Sequence, residues 1–187
     1  TSLVDTHRQA RILTRTASKD ATGPRNTRLR RRGSADYYRT MEFKRLSILG
    51  VGLLGGSIGL AAKKLASGGE IVGYGHRALT LETATKRGAI DRGTTSAAEA
   101  VRGADLVILC TPVGTFRPIL QQIAASLKPG AILTDVGSTK RSVVRLAEDL
   151  LPPTVHFVGS HPMAGSEKRG VEFAKALLFY GAVCILN

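Results

Sequence analysis

Three glycines, Gly50, Gly52 and Gly55, follow GxGxxG spacing within the run ILGVGLLGGS. An apolar stretch, residues 45–49, precedes them, and a helix-forming stretch, residues 53–65, follows them. A strand that turns through spaced glycines into a helix is typical of the first unit of an α/β fold that binds a dinucleotide. The alternative interpretation is a glycine-rich turn in some other doubly wound fold.

Each residue of this turn has its own physical role. Gly50 permits the tight turn, and Gly52 has no side chain to block a pyrophosphate, while Gly55 lets the helix and the strand approach closely. The helix begins at Leu53 and Leu54, where backbone N–H groups without helical partners attract an anion. We therefore expect these five residues to bind the cofactor.

Short apolar runs and helical stretches alternate along the rest of the chain. The predicted strands cover residues 45–49, 70–74, 105–110, 131–134, 156–158 and 182–186. The predicted helices cover residues 53–65, 79–87, 97–102, 115–127, 142–151 and 171–178. Strands separated by helices indicate a mostly parallel sheet, so the predicted class is α/β, of the Rossmann-type doubly wound architecture, over residues 41–187.

The net charge of +13 is concentrated near the start of the chain, where residues 1–40 hold ten Lys or Arg against three Asp. This segment has no apolar periodicity, so we expect a disordered basic arm. A nucleic-acid tail, an organelle-targeting peptide and an extension outside the working domain all fit such a composition. We favour the extension, with the targeting peptide second, and do not expect nucleic acid as a partner.

Two further features bear on the compartment. No apolar run approaches the roughly 20 residues that span a bilayer, so we expect no membrane segment. Cys110 and Cys184 each lie in an apolar, strand-like run, which predicts buried free thiols in a reducing compartment such as the cytoplasm.

The second predicted strand ends without the acidic residue that usually holds the ribose hydroxyls of NAD. Gly75 stands at about that position, and Arg77 follows two residues later. A nearby arginine can accept the 2′-phosphate of NADP. The cofactor is therefore expected to be NADP or NAD, with a lean towards NADP.

Three loops follow predicted strands at the edge where a doubly wound sheet binds its ligands. Thr111 and Pro112 follow DLVILC and are expected to pass under the cofactor. The loop after AILT contains Ser138, a candidate to hydrogen-bond the substrate hydroxyl or to orient His161. His161 itself lies in the loop after HFV. In the second loop, we interpret Asp135 as a cap at the strand end and not as a catalytic group.

His161 lies among small residues in GSHPMAGSEKRG, with the carboxylate of Glu167 six positions further on. Of the four histidines, it is the one that the pattern places near the nicotinamide. An imidazole there can take the proton of an alcohol while the nicotinamide takes the hydride. The chain has neither CxxC nor HExxH spacing, so we expect no metal site.

The motifs GVGLLGGSIGLAAKK, DLVILCTPVGTF, TDVGSTK and GSHPMAGSEKRGVEFAKALLFYGA resemble the prephenate dehydrogenase family, which includes arogenate and cyclohexadienyl dehydrogenases. The resemblance spans residues 43–187. It implies NAD(P)-dependent oxidative decarboxylation of prephenate to 4-hydroxyphenylpyruvate in tyrosine biosynthesis. It also implies that His161 takes the proton of the ring hydroxyl, that Ser138 is its hydrogen-bonding companion, and that Glu167 helps shape the substrate entrance.

The family resemblance also implies a helical C-terminal domain that forms a homodimer and supplies substrate-binding arginines. The chain ends before such a domain. We therefore expect a fragment that binds the dinucleotide but turns over little or no prephenate.

Other functions remain open at this point. Arogenate is as compatible with the motifs as prephenate. A β-hydroxyacid or 6-phosphogluconate-type dehydrogenase also pairs such a domain with a helical one, although a lysine in the later domain typically replaces the histidine. A non-enzymatic alternative is a dinucleotide-sensing or nucleic-acid-binding protein that uses residues 1–40.

Overall fold

The computed structural model describes residues 43–64 and 69–187, and the predictions for the basic arm 1–40 lie outside these residues. Within this part, one sheet contains the strands β1 (Arg45–Leu49), β2 (Glu70–Tyr74), β3 (Arg92–Thr94), β4 (Leu106–Leu109), β5 (Ile132–Asp135) and β6 (His156–Val158). The order is β3-β2-β1-β4-β5-β6, and every neighbouring pair is parallel.

Five α-helices of the described part connect these strands: α1 (Leu53–Lys64), α2 (Ala78–Lys86), α3 (Ala97–Val101), α4 (Phe116–Ile123) and α5 (Lys140–Leu150). Ile48 and Ile71 contribute to the apolar core that contains α2 residues. Their successors Leu49 and Val72 contribute to the core with α3, α4 and α5. Because successive strand residues face opposite sides, helices cover both faces of the sheet. The predicted Rossmann-type class is confirmed.

Local sequence explains where the helices form. In α4, the buried residues Phe116, Ile119, Leu120 and Ile123 recur at the spacing of one helical face. Helix α3 begins after Ser96, whose hydroxyl accepts a hydrogen bond from the Glu99 backbone N–H at 3.3 Å, as in a capping box. Among the described helices, none is long and apolar enough to cross a bilayer.

The register of the central strands aligns the loops that follow them. Leu49 of β1 pairs with Leu109 of β4, and Leu109 pairs with Asp135 of β5. The glycine turn after β1 and the loop after β4 therefore leave the carboxyl edge of the sheet side by side, with Asp135 as the next neighbour. Adjacent strands lie about 4.8 Å apart, so Asp135 is on the order of 10 Å from the end of β1.

The C-terminal part differs from the sequence prediction. Ser160–Pro162, predicted as a loop, is strand β7, and it pairs antiparallel with β8 (Cys184–Leu186) in a separate two-stranded sheet. The predicted helix over residues 171–178 is wrong, because only a short 3₁₀ turn, Val171–Phe173, forms there. Cys184, predicted to be buried, is exposed, as are the other two residues of β8.

Tertiary contacts explain why residues 171–178 do not continue as a helix. The backbone N–H of Lys175 donates to the hydroxyl of Ser57 in α1, at 2.9 Å, and not to a carbonyl one helical turn earlier. Val171 and Ala174 are buried close to Gly56, which offers no side chain in their way. Packing against α1 therefore overrides the helical propensity of this segment.

Strand β3 was also missed by the sequence prediction. Its three residues, RGT, contain no apolar run, because β3 lies at the end of the sheet and only Val72, Gly73 and Tyr74 of β2 pair with it. Position in the sheet, and not composition, makes this segment a strand.

Candidate cofactor and substrate site

The glycine turn adopts the conformation that its spacing predicts. Gly50 has a φ of +103°, which favours glycine, and a Cβ at this position would lie 2.8 Å from backbone atoms of Cys110 and Thr111. Its N–H donates to the carbonyl of Tyr74 at 2.9 Å, which ties the turn to the end of β2. Position 50 therefore requires glycine, because of its positive φ and because a Cβ would clash with the loop after β4.

Gly52 leaves space for a ligand, whereas Gly55 allows close packing. A Cβ on Gly52 would have no neighbour within 4 Å, so space lies open in front of the helix. A Cβ on Gly55 would lie 2.1 Å from the Gly50 carbonyl oxygen, so Gly55 allows close packing of α1 on the turn. No acidic residue occupies the first turn of α1. The open space and the free N–H groups at Leu53 and Leu54 suit a pyrophosphate.

A cleft of about 500 Å³ opens at this turn. Five predicted residues line it: Gly50, Gly52, Arg77, Thr111 and Pro112. Its other lining residues are Val51, Tyr74, Gly75, His76, Thr80, Cys110, Thr115, Pro118, Ile119 and Gln122. The predicted residues Leu53, Leu54 and Gly55 lie in α1 and contribute backbone N–H groups or packing, not cleft surface.

Sequence reasoning missed the wall that α4 supplies. Pro118 and Ile119 line the cleft together with Gln122, which lies three to four residues further on, so all three share one face of α4. The predicted helix after the Thr111 loop could have revealed this spacing. Thr115 fixes this loop, because its hydroxyl bonds the Pro112 carbonyl at 2.7 Å and the Thr111 hydroxyl at 2.9 Å.

The end of the cleft that follows β2 is open and carries basic side chains. His76 and Arg77 are exposed, and neither makes a side-chain hydrogen bond or salt bridge with a described residue. Gly75 leaves the position of the missing acid without a side chain, with Leu81 carbon atoms 3.4 Å and more from where its Cβ would stand. This corner therefore offers positive charge and no carboxylate.

Cys110, at the wall of the cleft, lies within the electrostatic reach of Asp135. Burial raises the pKa of the Cys110 thiol, and the negative charge of Asp135 raises it further, so the thiol stays protonated at neutral pH. Asp135 is completely buried at the end of β5. Its carboxylate accepts hydrogen bonds from the N–H of Gly137 at 2.9 Å and of Ser160 at 3.1 Å, and it also pairs with the ammonium group of Lys140.

His161 is the middle residue of β7, paired with Ile185 of β8, and is half-buried. Its Nδ1 atom is shielded from solvent and has no hydrogen-bond partner among the described residues. A buried polar atom without a partner is rare and points to a ligand or a functional role. Because the preceding residue, Ser160, is bonded to Asp135, His161 lies at the same edge of the sheet as the glycine turn.

The other two predicted substrate-site residues are exposed. Ser138 follows β5 in the loop before α5, and its hydroxyl makes no hydrogen bond with His161 or any other described residue. Glu167 lies in the turn-rich segment between β7 and Val171, outside the cleft at the glycine turn. The next residue, Lys168, places its ammonium group 5.1 Å from the centroid of the Phe173 ring.

The strand order, the glycine turn and the cleft in front of it define a dinucleotide-binding domain of the Rossmann type. The sequence profile described as "Prephenate dehydrogenase, nucleotide-binding domain" matches residues 58–187. The chain therefore belongs to the prephenate dehydrogenase family.

Individual relatives agree with this assignment. A prephenate dehydrogenase of Bacillus subtilis (strain 168) is 44% identical over 141 residues, which are 75% of this chain and 38% of the relative. The crystal structure of prephenate dehydrogenase from A. aeolicus, in complex with hydroxyphenyl propionate and NAD+, is 36% identical with a TM-score of 0.73, covering 80% of this chain and 52% of that one.

The Synechocystis arogenate dehydrogenase structure is 29% identical with a TM-score of 0.70, and the match covers 76% of this chain and 49% of that one. The chain thus spans about half, or less, of the length of these relatives.

Proposed function

We propose that the protein to which this chain belongs is an NAD(P)-dependent dehydrogenase that oxidatively decarboxylates prephenate to 4-hydroxyphenylpyruvate, a step of tyrosine biosynthesis. One observation supports the proposal above all: His161 lies at the same edge of the sheet as the glycine turn. The residue before it, Ser160, is hydrogen-bonded to Asp135 at the end of β5. The A. aeolicus relative, described with NAD+ and hydroxyphenyl propionate, supports an aromatic acid as the ligand class.

The cofactor is held by the glycine turn in this proposal. Gly50 and Gly52 would let the backbone approach the pyrophosphate, and the first N–H groups of α1, at Leu53 and Leu54, would hydrogen-bond its oxygens. Thr111 and Pro112 line the cleft and would lie under the nicotinamide half. When bound, the nicotinamide ring supplies the hydride acceptor.

His161 handles the proton. In this proposal the proton goes to Nε2, because Nδ1 is shielded from solvent. The substrate hydroxyl gives its proton to Nε2 while a hydride leaves the ring carbon that bears this hydroxyl. The carboxylate departs as carbon dioxide. The electrons of the broken C–C bond complete the aromatic ring, so the protein mainly positions groups and moves one proton.

Ser138 and Glu167 act on the substrate and not on the cofactor. Ser138 is exposed at the carboxyl edge, where its hydroxyl is free to bond the substrate hydroxyl or the imidazole. Glu167 contributes a carboxylate to the entrance on the segment that leaves β7. Both roles are carried over from the family resemblance.

The preferred cofactor is NADP. Gly75 removes the carboxylate that would repel a 2′-phosphate, and the exposed Arg77, beside His76, offers the phosphate a guanidinium group. Replacing Arg77 with Gln should raise the KM for NADP about tenfold and leave the KM for NAD within about twofold. A wild-type enzyme that prefers NAD would contradict this part of the proposal.

The function is tested by replacing His161 with Asn in the full-length protein. The expected result is a loss of about 10²-fold or more in kcat with prephenate or arogenate, with NADP affinity kept. His156, exposed at the start of β6, supplies the matched control, and replacing it with Asn should leave turnover unchanged. Full turnover without the His161 imidazole would overturn the proposal, and the two substrates assayed side by side decide between prephenate and arogenate.

The proposal extends to the full-length enzyme. Residues 41–187 form its cofactor-binding domain, and residues 1–40 form an extension that cofactor binding does not need. As the family resemblance implies, a further helical domain joins two copies into a homodimer and completes the substrate site. The enzyme acts in the cytoplasm in this proposal. Deleting residues 1–40 should leave the dissociation constant for NADP unchanged, and light scattering should report a dimer.

A further inference from the structure

Asp135 makes an unusual set of contacts for a strand-end residue. It is 0% exposed, and three donors converge on its carboxylate. Two of these, the Gly137 N–H and the Lys140 ammonium, belong to the loop and helix that follow β5. The third, the Ser160 N–H, belongs to β7, 25 residues further along the chain.

A second bond joins the same two segments. The Ser160 hydroxyl donates to the backbone carbonyl oxygen of Asp135. Ser160 is thus attached to Asp135 through both its backbone and its side chain. The residue after Ser160 is His161, and the residue after Gly137 is Ser138. One buried carboxylate therefore holds the two segments that carry the proposed proton acceptor and its companion.

The loop that Asp135 holds also packs against the cofactor cleft. A Cβ on Gly137 would lie 2.8 Å from the Val113 side chain, which follows the cleft residues Thr111 and Pro112, and 2.9 Å from an Asp135 carboxylate oxygen. The segments that Asp135 holds therefore carry His161 on one side and, on the other, pack against Val113, next to the cleft residues Thr111 and Pro112.

We propose that Asp135 is a positioning residue: with Ser160, it sets His161 relative to Ser138 and to the nicotinamide side of the cleft. This inference rests on the proposed function, since it assigns a task to a residue that touches neither substrate nor cofactor. Misplacement of reacting groups by about 1 Å can cost on the order of 10²-fold in rate. Strand β7 pairs with β8 and not with a strand of the main sheet, so its two bonds to Asp135 fasten its first residue to the end of β5.

Asp105 provides a matched comparison within the same sheet. Its carboxylate also bonds a backbone N–H, that of Arg45 at 2.9 Å, and also pairs with a lysine, Lys128. It stands before β4, at the opposite edge, where no residue proposed for the site lies. Replacing either aspartate with Asn removes one charge and keeps the size of the side chain.

The experiment compares Asp135→Asn with Asp105→Asn in the full-length enzyme. Asp135→Asn should lower kcat at least about tenfold with NADP affinity within about twofold, whereas Asp105→Asn should leave both within about twofold. The ring signals of His161, identified by their loss in His161→Asn, should shift in NMR spectra of Asp135→Asn and stay in place in Asp105→Asn. Equal kcat values and unmoved His161 signals in both variants would overturn the inference.

A milder change guards against a variant that fails to fold. Ser160→Ala removes the hydroxyl bond to Asp135 but keeps the backbone bond, and it should lower kcat about threefold to tenfold. Thr134→Val is its control, since the Thr134 hydroxyl similarly bonds the Val158 carbonyl at 2.6 Å, between β5 and β6. A loss of kcat in Thr134→Val as large as that in Ser160→Ala would count against a specific role.

Failure of the function and failure of the inference give different results. If the wild-type enzyme oxidises neither prephenate nor arogenate, the proposed function is wrong, whatever the variants do. The NMR comparison still tests the positioning role, because it reads the place of the His161 ring without turnover.

Discussion

The two edges of the parallel sheet use polar side chains in opposite ways. Five of the six salt bridges among the described residues involve groups at or just before the amino ends of strands: Arg45–Glu70, Arg92–Glu70, Arg92–Glu99, Lys63–Asp91 and Lys128–Asp105. At the carboxyl edge, only Lys140–Asp135 is paired, while Arg77, Ser138 and Nδ1 of His161 have no partner in the described part. One edge satisfies its charges internally, and the other leaves polar groups for a ligand.

The pKa values follow this division. Hydrogen bonding to Arg92, and next to Arg45, lowers the pKa of Glu70 despite partial burial. The Lys128 ammonium and the Arg45 N–H lower the pKa of Asp105. At the carboxyl edge, burial instead raises the pKa of Cys110. The carboxylates at the amino edge are thus stabilised in their charged form by folding and contribute to the free energy of unfolding. We therefore expect variants at the amino edge to change stability and variants at the carboxyl edge to change cofactor binding.

The largest effect should come from a negative charge placed in the open space at Gly52. Gly52→Asp should fold normally, because a Cβ there meets nothing within 4 Å. The carboxylate should repel the pyrophosphate and weaken NADP binding by on the order of 100-fold, about 2.7 kcal/mol, as measured by calorimetry.

Gly165→Asp is the matched control for this variant. Its Cβ also meets nothing within 4 Å, and Gly165 lies outside the cleft at the glycine turn. NADP affinity should stay within about twofold. Equal losses in the two variants would show that added charge alone, and not its position, weakens binding.

The next effect concerns stability and comes from the amino edge. Asp105→Asn should lower the free energy of unfolding by about 1–2 kcal/mol, because it leaves the Lys128 ammonium without its partner, and should not change NADP binding. The folded-state pKa of Asp105 is lowered from 3.8, so its stabilisation is full above that pH and is lost as pH falls through the folded value.

Urea unfolding at pH 7 and at pH 3 measures this difference. The gap between wild type and Asp105→Asn should narrow at pH 3, below the ordinary Asp pKa of 3.8, because the unfolded wild-type chain then takes up a proton that the folded carboxylate resists. A gap that widens on acidification would contradict the role assigned to the charge.

The contrast between the edges also explains what the sequence could predict. The glycine spacing predicted the turn, since Gly50 needs its positive φ and Gly55 its close contact for local reasons. Asp135 was correctly interpreted as a strand-end cap, but its bond to Ser160 could not be foreseen because 25 residues separate them. Residues 171–178 have a helical composition, yet Ser57 and Gly56 of α1 decide their conformation through tertiary contacts.

A smaller stability effect is expected at Glu70, which joins Arg45 to Arg92. Glu70→Gln should cost at most about 1 kcal/mol, because all three side chains are partly exposed and water screens them. The pKa of Glu70 lies below its ordinary 4.5, so the cost should be present at pH 7 and should shrink below about pH 4.5.

Salt provides the check on this electrostatic origin. Thermal unfolding in 0.05 M and 1 M NaCl should show a smaller difference between Glu70→Gln and wild type at the higher salt, where the Debye length is about 3 Å. A difference that does not change with salt would assign the effect to packing of the side chain.

The smallest effects on stability make the sharpest comparison. Lys63 pairs with Asp91 at the amino edge, but 38% of its side chain is exposed, and Asp91 keeps its bond to the Ile71 N–H when Lys63 is replaced. Lys63→Gln and Arg77→Gln should therefore each change the free energy of unfolding by less than about 0.5 kcal/mol. Only Arg77→Gln should change the KM for NADP, because only Arg77 lines the cleft. If Lys63→Gln weakened NADP binding as much, the charge of the whole domain, and not the division between its edges, would govern cofactor affinity.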